Sequence, residues 1–330
     1  MKHISILVLD NITLTSLDST RQLFLKVNDF LINKGEKPVF KIELVGRTKE
    51  TWIHDGLYLI RADRLLSEVV ETDLIIIPQL CGSFPRLVKQ NAGFLSWITE
   101  KYNNGAEVAS LCAGVFLLAS TGLLKGRSCV VHWASVHEFR KMFPDVQVEE
   151  SHIITDDRGL YTCGGNYSYL NLILYLIEKF AGREMCVFVS KMFEIDIERK
   201  TQAPFMIFSG QKDHADKMVR QAQEFIEKNY QNKITIESLA SSLLVGRRNL
   251  ERRFRKVTSN TIFEYIQRVK VEAVKKGLET TRKSIVELMM DVDYLDIKSF
   301  RDIFKKITGL SPAEYKKRYG MESSTLILSQ

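Results

Sequence analysis

Two stretches of the chain, LASSLLVGRRNLERRFRKVT at 239–258 and MMDVDYLDIKSFRDIFKKIT at 289–308, are copies of one pattern. At a spacing of 50 residues (239 to 289), Leu239 pairs with Met289, Ala240 with Met290, Leu250 with Phe300, Phe254 with Phe304, Lys256 with Lys306 and Thr258 with Thr308. Each copy reads as a short amphipathic helix, a tight turn and a second helix. The turns are Leu244-Val245-Gly246 and Asp293-Tyr294-Leu295-Asp296. On a helical wheel Leu250, Phe254 and Val257 share one face of the first copy's second helix, with Arg248, Arg252 and Arg255 opposite. In the other copy Phe300, Phe304 and Ile307 face inward, Lys298, Asp302 and Lys305 face outward, and Arg301 flanks them. One face anchored in a core and the other offering long cationic donors is the helix-turn-helix layout, whose second helix enters the DNA major groove.

Outward from these copies the last third is helical. Met218, Ala222, Phe225 and Ile226 form one apolar stripe, and Thr235 is placed to cap a helix starting at Ile236, with Glu237 in its first turn. Ser284 with Glu287 forms a capping box, Ser311 with Pro312 and Glu314 another, and Gly309 ends the helix between them. The preceding part alternates strand and helix signals, the pattern of a mainly parallel sheet covered by helices. Strands are expected at Ile4–Leu9, Phe40–Val45, Leu74–Ile77, Val108–Leu111 and Cys129–Val131, and helices at Leu14–Ile32, Phe94–Tyr102, Gly114–Thr121 and Tyr167–Phe180. His152–Thr155 and Leu160–Thr162 read as a hairpin turned by Asp157-Arg158-Gly159. The stretch TQAPFMIFSGQKD at 201–213 breaks the periodicity and carries Pro and Gly, so a linker is expected there.

Charge follows the same division. The chain carries 47 Lys and Arg against 40 Asp and Glu, a net +7. From Gln211 onward there are 24 against 16, a balance of +8, which leaves −1 for the rest. A polyanion partner for the last third alone is the implication; a solvated basic face is the alternative. The five cysteines (Cys81, Cys112, Cys129, Cys163, Cys186) are odd in number, form no C-x-x-C pair and avoid the basic third. That argues against a disulfide framework or a zinc site and fits a reducing cytoplasm. MKHISILVLD reads as a strand rather than a signal peptide, and every apolar run is too short to span a bilayer.

Within the basic third, the candidate DNA-contacting residues are Arg247, Arg248, Asn249, Glu251, Arg252 and Arg255 in the first copy. In the second they are Lys298, Ser299, Arg301, Asp302 and Lys305. Arg bridges guanine O6 and N7, and Lys does the same or neutralises phosphate. Asp302 and Glu251 could accept from cytosine N4, although such acids more often orient a neighbouring Arg. In the other part, Val108–Gly114 runs from a strand signal directly into a helix with small residues at the bend, the layout of a nucleophile elbow with Cys112 at its tip. Amides at a helix N-terminus would lower the thiol's pKa and hold an anion. His132 follows at a strand end. The bland reading is a buried Cys at a tight junction and a His satisfied by backbone.

Residues 215–320 resemble the AraC/XylS-type DNA-binding domain. NLERRFRKVTSNTIFEYIQRVKVEAVKKGLE at 249–279 matches its first recognition helix and connecting helix, and YLDIKSFRDIFKKITGLSPAEYKKRYG at 294–320 its C-terminal signature. Two departures stand out: Asp293 where the family has Gly, and Gly246 where it often has Ser. Residues 1–200 resemble the ThiJ/PfpI-type domain related to class I glutamine amidotransferases, through SLCAGVFLLASTGLLKGR (110–127), VVHW (130–133) and YTCGGNYSYLNLILYLIEKFAG (161–182). TQAPF at 201–205 is similar to the junction in GlxA-like regulators, which fuse these two domains in this order. The resemblance implies that Cys112 is the family's reactive cysteine, His132 its nearby histidine, and Gly82 the partner of Ala113 in an anion hole. It also implies ligands such as amino acids, quaternary amines or related catabolites. The acid that catalytic members carry is missing at Thr15 and Ser16, and Ala113 stands where proteolytic members have His.

The expected architecture is α/β: an N-terminal flavodoxin-like, doubly wound, mainly parallel sheet, followed by an all-α domain with two helix-turn-helix units. The expected boundaries are a ligand-sensing domain at 1–205, a linker at 206–213, the DNA-binding domain at 214–320 and a tail at 321–330. The expected function is a cytoplasmic, homodimeric, sequence-specific transcriptional regulator with no catalytic residue, cofactor or metal. Its partners would be double-stranded DNA, a small-molecule effector and RNA polymerase, with no membrane. The expected ligand pocket is Ser16, Gly82, Cys112, Ala113 and His132. The rival is a cysteine-dependent hydrolase or deglycase-like enzyme with a DNA-binding tail; a purely structural nucleoid binder would leave the sensor domain without a purpose.

Overall fold

The computed structural model describes residues 1–321, so all but the first residue of the tail expected at 321–330 lies outside the described residues. The chain divides into two compact units, Met1–Gln202 and Ala203–Gln330. The first unit opens with β1 (Lys2–Val8), α1 (Leu14–Asn33) and β2 (Phe40–Gly46). A hairpin of β3 (Glu50–Ile53) and β4 (Tyr58–Arg61) follows, then β5 (Arg64–Leu65) and β6 (Leu74–Ile77). Next come α2 (Phe84–Gln90), α3 (Leu95–Asn103), β7 (Glu107–Ser110) and α4 (Val115–Ser120). The unit continues with β8 (Ser128–Cys129), α5 (Val136–Met142), β9 (Gln147–Val148) and β10 (Ile154–Asp157). It closes with β11 (Leu160–Cys163), α6 (Ser168–Ala181) and α7 (Arg183–Met192).

Seven strands form one sheet in the order β10-β11-β7-β6-β1-β2-β5, parallel throughout except for the edge pair β10–β11. Every residue of β6 and β11 is buried, and cover on both faces is why β6 reads as an apolar run without alternation. Helices α1, α6 and α7 contact one another, while α2, α3 and α4 form a second group, as a doubly wound sheet requires. One expected strand is corrected. Cys129–Val131 does not join the sheet: Ser128–Cys129 pairs with β9 in a separate ribbon, and the Val130 amide donates to the Thr162 hydroxyl at 2.7 Å instead of to a strand carbonyl.

The second unit is helical: α8 (Lys217–Asn229), α9 (Ile236–Ser242), α10 (Arg247–Thr258) and α11 (Ile262–Thr280), then α12 (Ile285–Met290), α13 (Ile297–Thr308) and α14 (Pro312–Tyr319). It has two cores. Val219, Ile226, Leu239, Leu250 and Phe254 meet Ile262, Tyr265 and Ile266 of α11 in the first. Leu288, Met289, Phe300, Phe304 and Tyr315 meet Val271, Val274 and Leu278 of the same helix in the second. Residues 206–213, expected as a linker, lie in this unit. The Phe208 ring packs edge-on to Tyr265 at 5.1 Å, and the Lys275 ammonium donates to the Met206 carbonyl at 2.6 Å.

The internal repeat needs one revision. From the second helices onward it holds at 50 residues: Ser259 and Gly309 (259 to 309) are both left-handed C-caps, and Thr261–Glu264 and Ser311–Glu314 are matching capping boxes. Across the first helices the spacing is 49: Thr235 and Ser284 (235 to 284) are the caps, and the buried pairs are Leu239 with Leu288 and Ala240 with Met289. Met290, paired with buried Ala240 at the 50-residue spacing, is 60% exposed. The second turn holds one more residue, and both turns use a left-handed residue, Leu244 at φ 53° and Asp293 at φ 54°.

Asp216 caps α8 by accepting the Val219 amide and takes two hydrogen bonds of 2.8 Å from the Arg253 guanidinium, tying α8 to α10. Asp216→Ala is expected to destabilise this unit by about 2 kcal/mol, through a lost cap and a lost charge-assisted pair. The Arg253 guanidinium beside Asp216 holds its carboxyl below the ordinary carboxylate value. This contribution is therefore complete above the ordinary carboxyl pKa and lost as pH falls through the depressed one. Denaturant unfolding of Asp216→Asn across acid pH should show a shallower acid limb than the parent chain.

Candidate nucleic-acid interface and elbow site

Helices α10 and α13 each bury three residues at matching positions, Leu250, Phe254 and Thr258, and Phe300, Phe304 and Thr308. Arg248, Asn249, Arg252 and Arg255 of α10 are exposed, as are Lys298, Ser299, Arg301, Asp302 and Lys305 of α13. A groove of about 380 Å³ beside α10 is lined by Arg248, Glu251, Arg252 and Arg255, and one of about 460 Å³ beside α13 by Lys298, Ser299, Asp302 and Lys306. Arg247 is committed within the chain, to Glu237 and at 3.2 Å to Glu251. Glu251 thus orients an arginine, as such acids commonly do. Asp302 holds no ion pair among the described residues. Arg252 donates to the Asn249 side chain at 3.1 Å. Asp296 caps α13 through the Lys298 and Ser299 amides, whereas Gly246 gives α10 no side-chain cap. Lys306 was not anticipated, although the helical wheel sets it one turn after Asp302.

The elbow forms where β7 ends. Cys112 takes a left-handed φ of 49°, and Gly114 packs so tightly that a Cβ there would meet the Ile77 and Pro78 carbonyls at 2.8 Å. A single turn of 3-10 helix, Cys112–Gly114, leads into the six-residue α4. The expected helix at 114–121 is shorter than its pattern suggested. Cys112 is 2% exposed; its amide donates to Cys163 Sγ at 3.3 Å, and its thiol lies 3.7 Å from Asn166 Oδ1. The same Asn166 oxygen accepts from buried Gln79 at 2.9 Å, which gives the site a polar cluster on the loops after β6, β7 and β11. These loops are at the carboxyl ends of parallel strands, beside the point where the chain's order across the sheet reverses between β1 and β6.

The chemistry differs from the sequence expectation. Burial pushes the Cys112 thiol up to about 12, against a smaller lowering by the Ala113 amide, so the thiol is protonated at neutral pH rather than activated. His132 makes no hydrogen bond to Cys112: its ring nitrogen accepts the Ala134 amide at 3.1 Å, and burial holds it below the ordinary imidazole value. Ser16 is fully buried; its hydroxyl donates to the Thr13 carbonyl at 2.8 Å and accepts the Gln79 amide at 3.1 Å, so it serves the loop rather than a ligand. Thr15 is exposed, and its carbonyl accepts from Ser19 and, at 3.4 Å, from Tyr169. Gly82 is exposed at φ 127° and Ala113 is buried. Gln79 and Asn166 were missed, since a lone amide carries no sequence signal; the Gly-Gly-Asn after β11 was the nearest one. Among the described residues there is no His, Cys, Asp and Glu group able to hold a metal ion, and no helix long and apolar enough to cross a membrane.

Comparison with known proteins agrees with this division. The DJ-1/PfpI family matches residues 34–179, and a helix-turn-helix domain family matches residues 239–318. The chain is 26% identical over 320 residues to the HTH-type transcriptional regulator GbdR of Pseudomonas aeruginosa, covering 96% of this chain and 84% of the relative. It is 21% identical over 217 residues to the HTH-type transcriptional regulator GlxA of Rhizobium meliloti, covering 66% and 67%. The crystal structure of an AraC family transcriptional regulator from Pseudomonas putida superposes with a TM-score of 0.50 at 15% identity, covering 58% of this chain and 100% of that one. The chain therefore joins a domain of the DJ-1/PfpI family to an AraC-type helix-turn-helix domain, the architecture of the transcriptional regulators GbdR and GlxA.

Proposed function

We propose that this protein is a sequence-specific transcriptional regulator that binds double-stranded DNA through α10 and α13. The observation that carries this reading is the pair of exposed cationic helix faces, held in the same register by two equivalent cores. GbdR and GlxA, both named HTH-type transcriptional regulators, support it. In this reading the sensor domain is 1–205 and the DNA-binding domain 214–320, with the linker at 206–213 packed against α11. The sensor domain dimerises and binds a small metabolite, an amino acid, an amine or a related catabolite, near Gly82, Cys112, Ala113 and His132. Gln79 and Asn166 supply the polar contacts there. RNA polymerase is the further partner of a bound activator. Cys112 serves the pocket without turnover, because a neutral thiol with no base beside it is a poor nucleophile.

Two helices in successive major grooves on one DNA face give a monomer's site two contact patches about 10 base pairs apart. Arg252→Ala and Lys298→Ala are each expected to cost about 1–3 kcal/mol at a cognate site and to relax selectivity at one position. Footprinting on DNA selected from a random pool checks both; a single patch unchanged by Lys298→Ala rejects the two-helix reading. Cys112→Ser is expected to leave DNA binding intact. The parent chain is expected to turn over no amide, ester or glyoxal-adduct substrate. Turnover that disappears in Cys112→Ser would establish the enzyme instead.

A further inference from the structure

The corrected register brings together two residues that belong to neither recognition helix. At the 49-residue spacing of the first helices, Lys233 coincides with Arg282 (233 to 282), each two residues before its capping residue, Thr235 or Ser284. Both side chains are exposed, and among the described residues neither is held by an acid. The nearby acids are engaged elsewhere. Glu237 pairs with Arg247, Glu287 accepts the Ser284 amide at 2.7 Å, and Asp291 pairs with Lys283 at 2.6 Å. Lys283 is thereby neutralised while Arg282 is not, and the first copy has Ile234, packed on its core, in the equivalent place. Around Arg282 a groove of about 620 Å³ is lined also by Ile285, Lys316 and Lys317, and the Lys316 ammonium donates to the Lys283 carbonyl at 3.1 Å.

In a helix-turn-helix the first helix crosses the DNA backbone while the second enters the groove. We propose that Lys233 and Arg282 are phosphate clamps, one on the approach to α9 and one on the approach to α12, that fix each helix-turn-helix on the sugar–phosphate backbone. This rests on the DNA-binding reading above and adds to it residues that set position rather than sequence. The ligand is the phosphodiester group. An exposed cation at one equivalent position in each copy fits a partner that itself repeats, as the backbone does at every helical turn and a folded acidic protein does not.

The test uses the full chain and a random-sequence duplex, on which binding is almost wholly phosphate contact, with affinity measured by fluorescence anisotropy between about 50 and 200 mM salt. Lys233→Gln and Arg282→Gln should each flatten the slope of log affinity against log salt by about 0.9, and the double variant by about 1.8. On a selected cognate duplex the ratio of specific to non-specific affinity should stay unchanged, and the charge-keeping pair Lys233→Arg with Arg282→Lys should restore the slope. Lys89→Gln, in α2 of the other unit, should keep the parent slope. A parental slope in the double variant overturns the clamps. If transcription is lost at that parental slope, the surface belongs to RNA polymerase, and the clamps are equally overturned. Arg252→Ala separates this from the underlying reading: if it too leaves selective binding untouched, the DNA-binding assignment of α10 fails on its own.

Discussion

The second unit depends on one helix shared between two cores. Ile262, Tyr265 and Ile266 of α11 complete the first and Val271, Val274 and Leu278 the second, so both recognition helices hang from one rigid rod. Both cores bury successive stretches of the same 19-residue helix, which couples them physically. Between the two apolar stretches sits Lys270, 6% exposed, its ammonium 3.9 Å from Asp293 in the second turn. Burial holds this ammonium below the ordinary lysine value, while Asp293 opposes that. The rod therefore also touches the turn that aims α13.

The two copies reach the same geometry by different local chemistry. After both second helices a threonine hydroxyl, Thr258 or Thr308, reaches the carbonyl four residues back and accepts an amide two residues on. The turns before those helices differ. The first places Leu244 in a left-handed conformation that costs a non-glycine residue about 1 kcal/mol. The second uses Asp293, better suited to that conformation, and adds a residue that lets Asp296 cap α13.

In the first unit, desolvation decides the character of the elbow. The bend, the glycine pressed against β6 and the left-handed cysteine are all present, yet burial raises the thiol pKa by more than the neighbouring amide lowers it. Asn166 and Gln79 then define the polar character of the site. A scaffold able to hold a nucleophile instead holds a neutral thiol beside hydrogen-bonding amides.

Periodicity and capping chemistry are local, so the sequence alone determined the helices of the second unit, their inward faces, the capping boxes at Ser284 and Ser311 and the left-handed Gly309. The apolar runs of β1, β6 and β7 likewise announced a buried parallel sheet, because a strand covered on both faces cannot alternate. Non-local properties were decided by tertiary structure. The hairpin of β3 and β4 passed unnoticed despite its Asp55-Gly56 turn, and Cys129–Val131 read as a sheet strand although its pairing partner lies elsewhere. The step from a 49- to a 50-residue register appeared only once burial showed Met289 inside and Met290 outside. Ser16, Gln79 and Asn166 took their roles from atoms on distant loops. The pKa of Cys112 depends on how much protein surrounds the sulfur, a quantity set by the packing of the whole domain and not by the residues beside it in the chain.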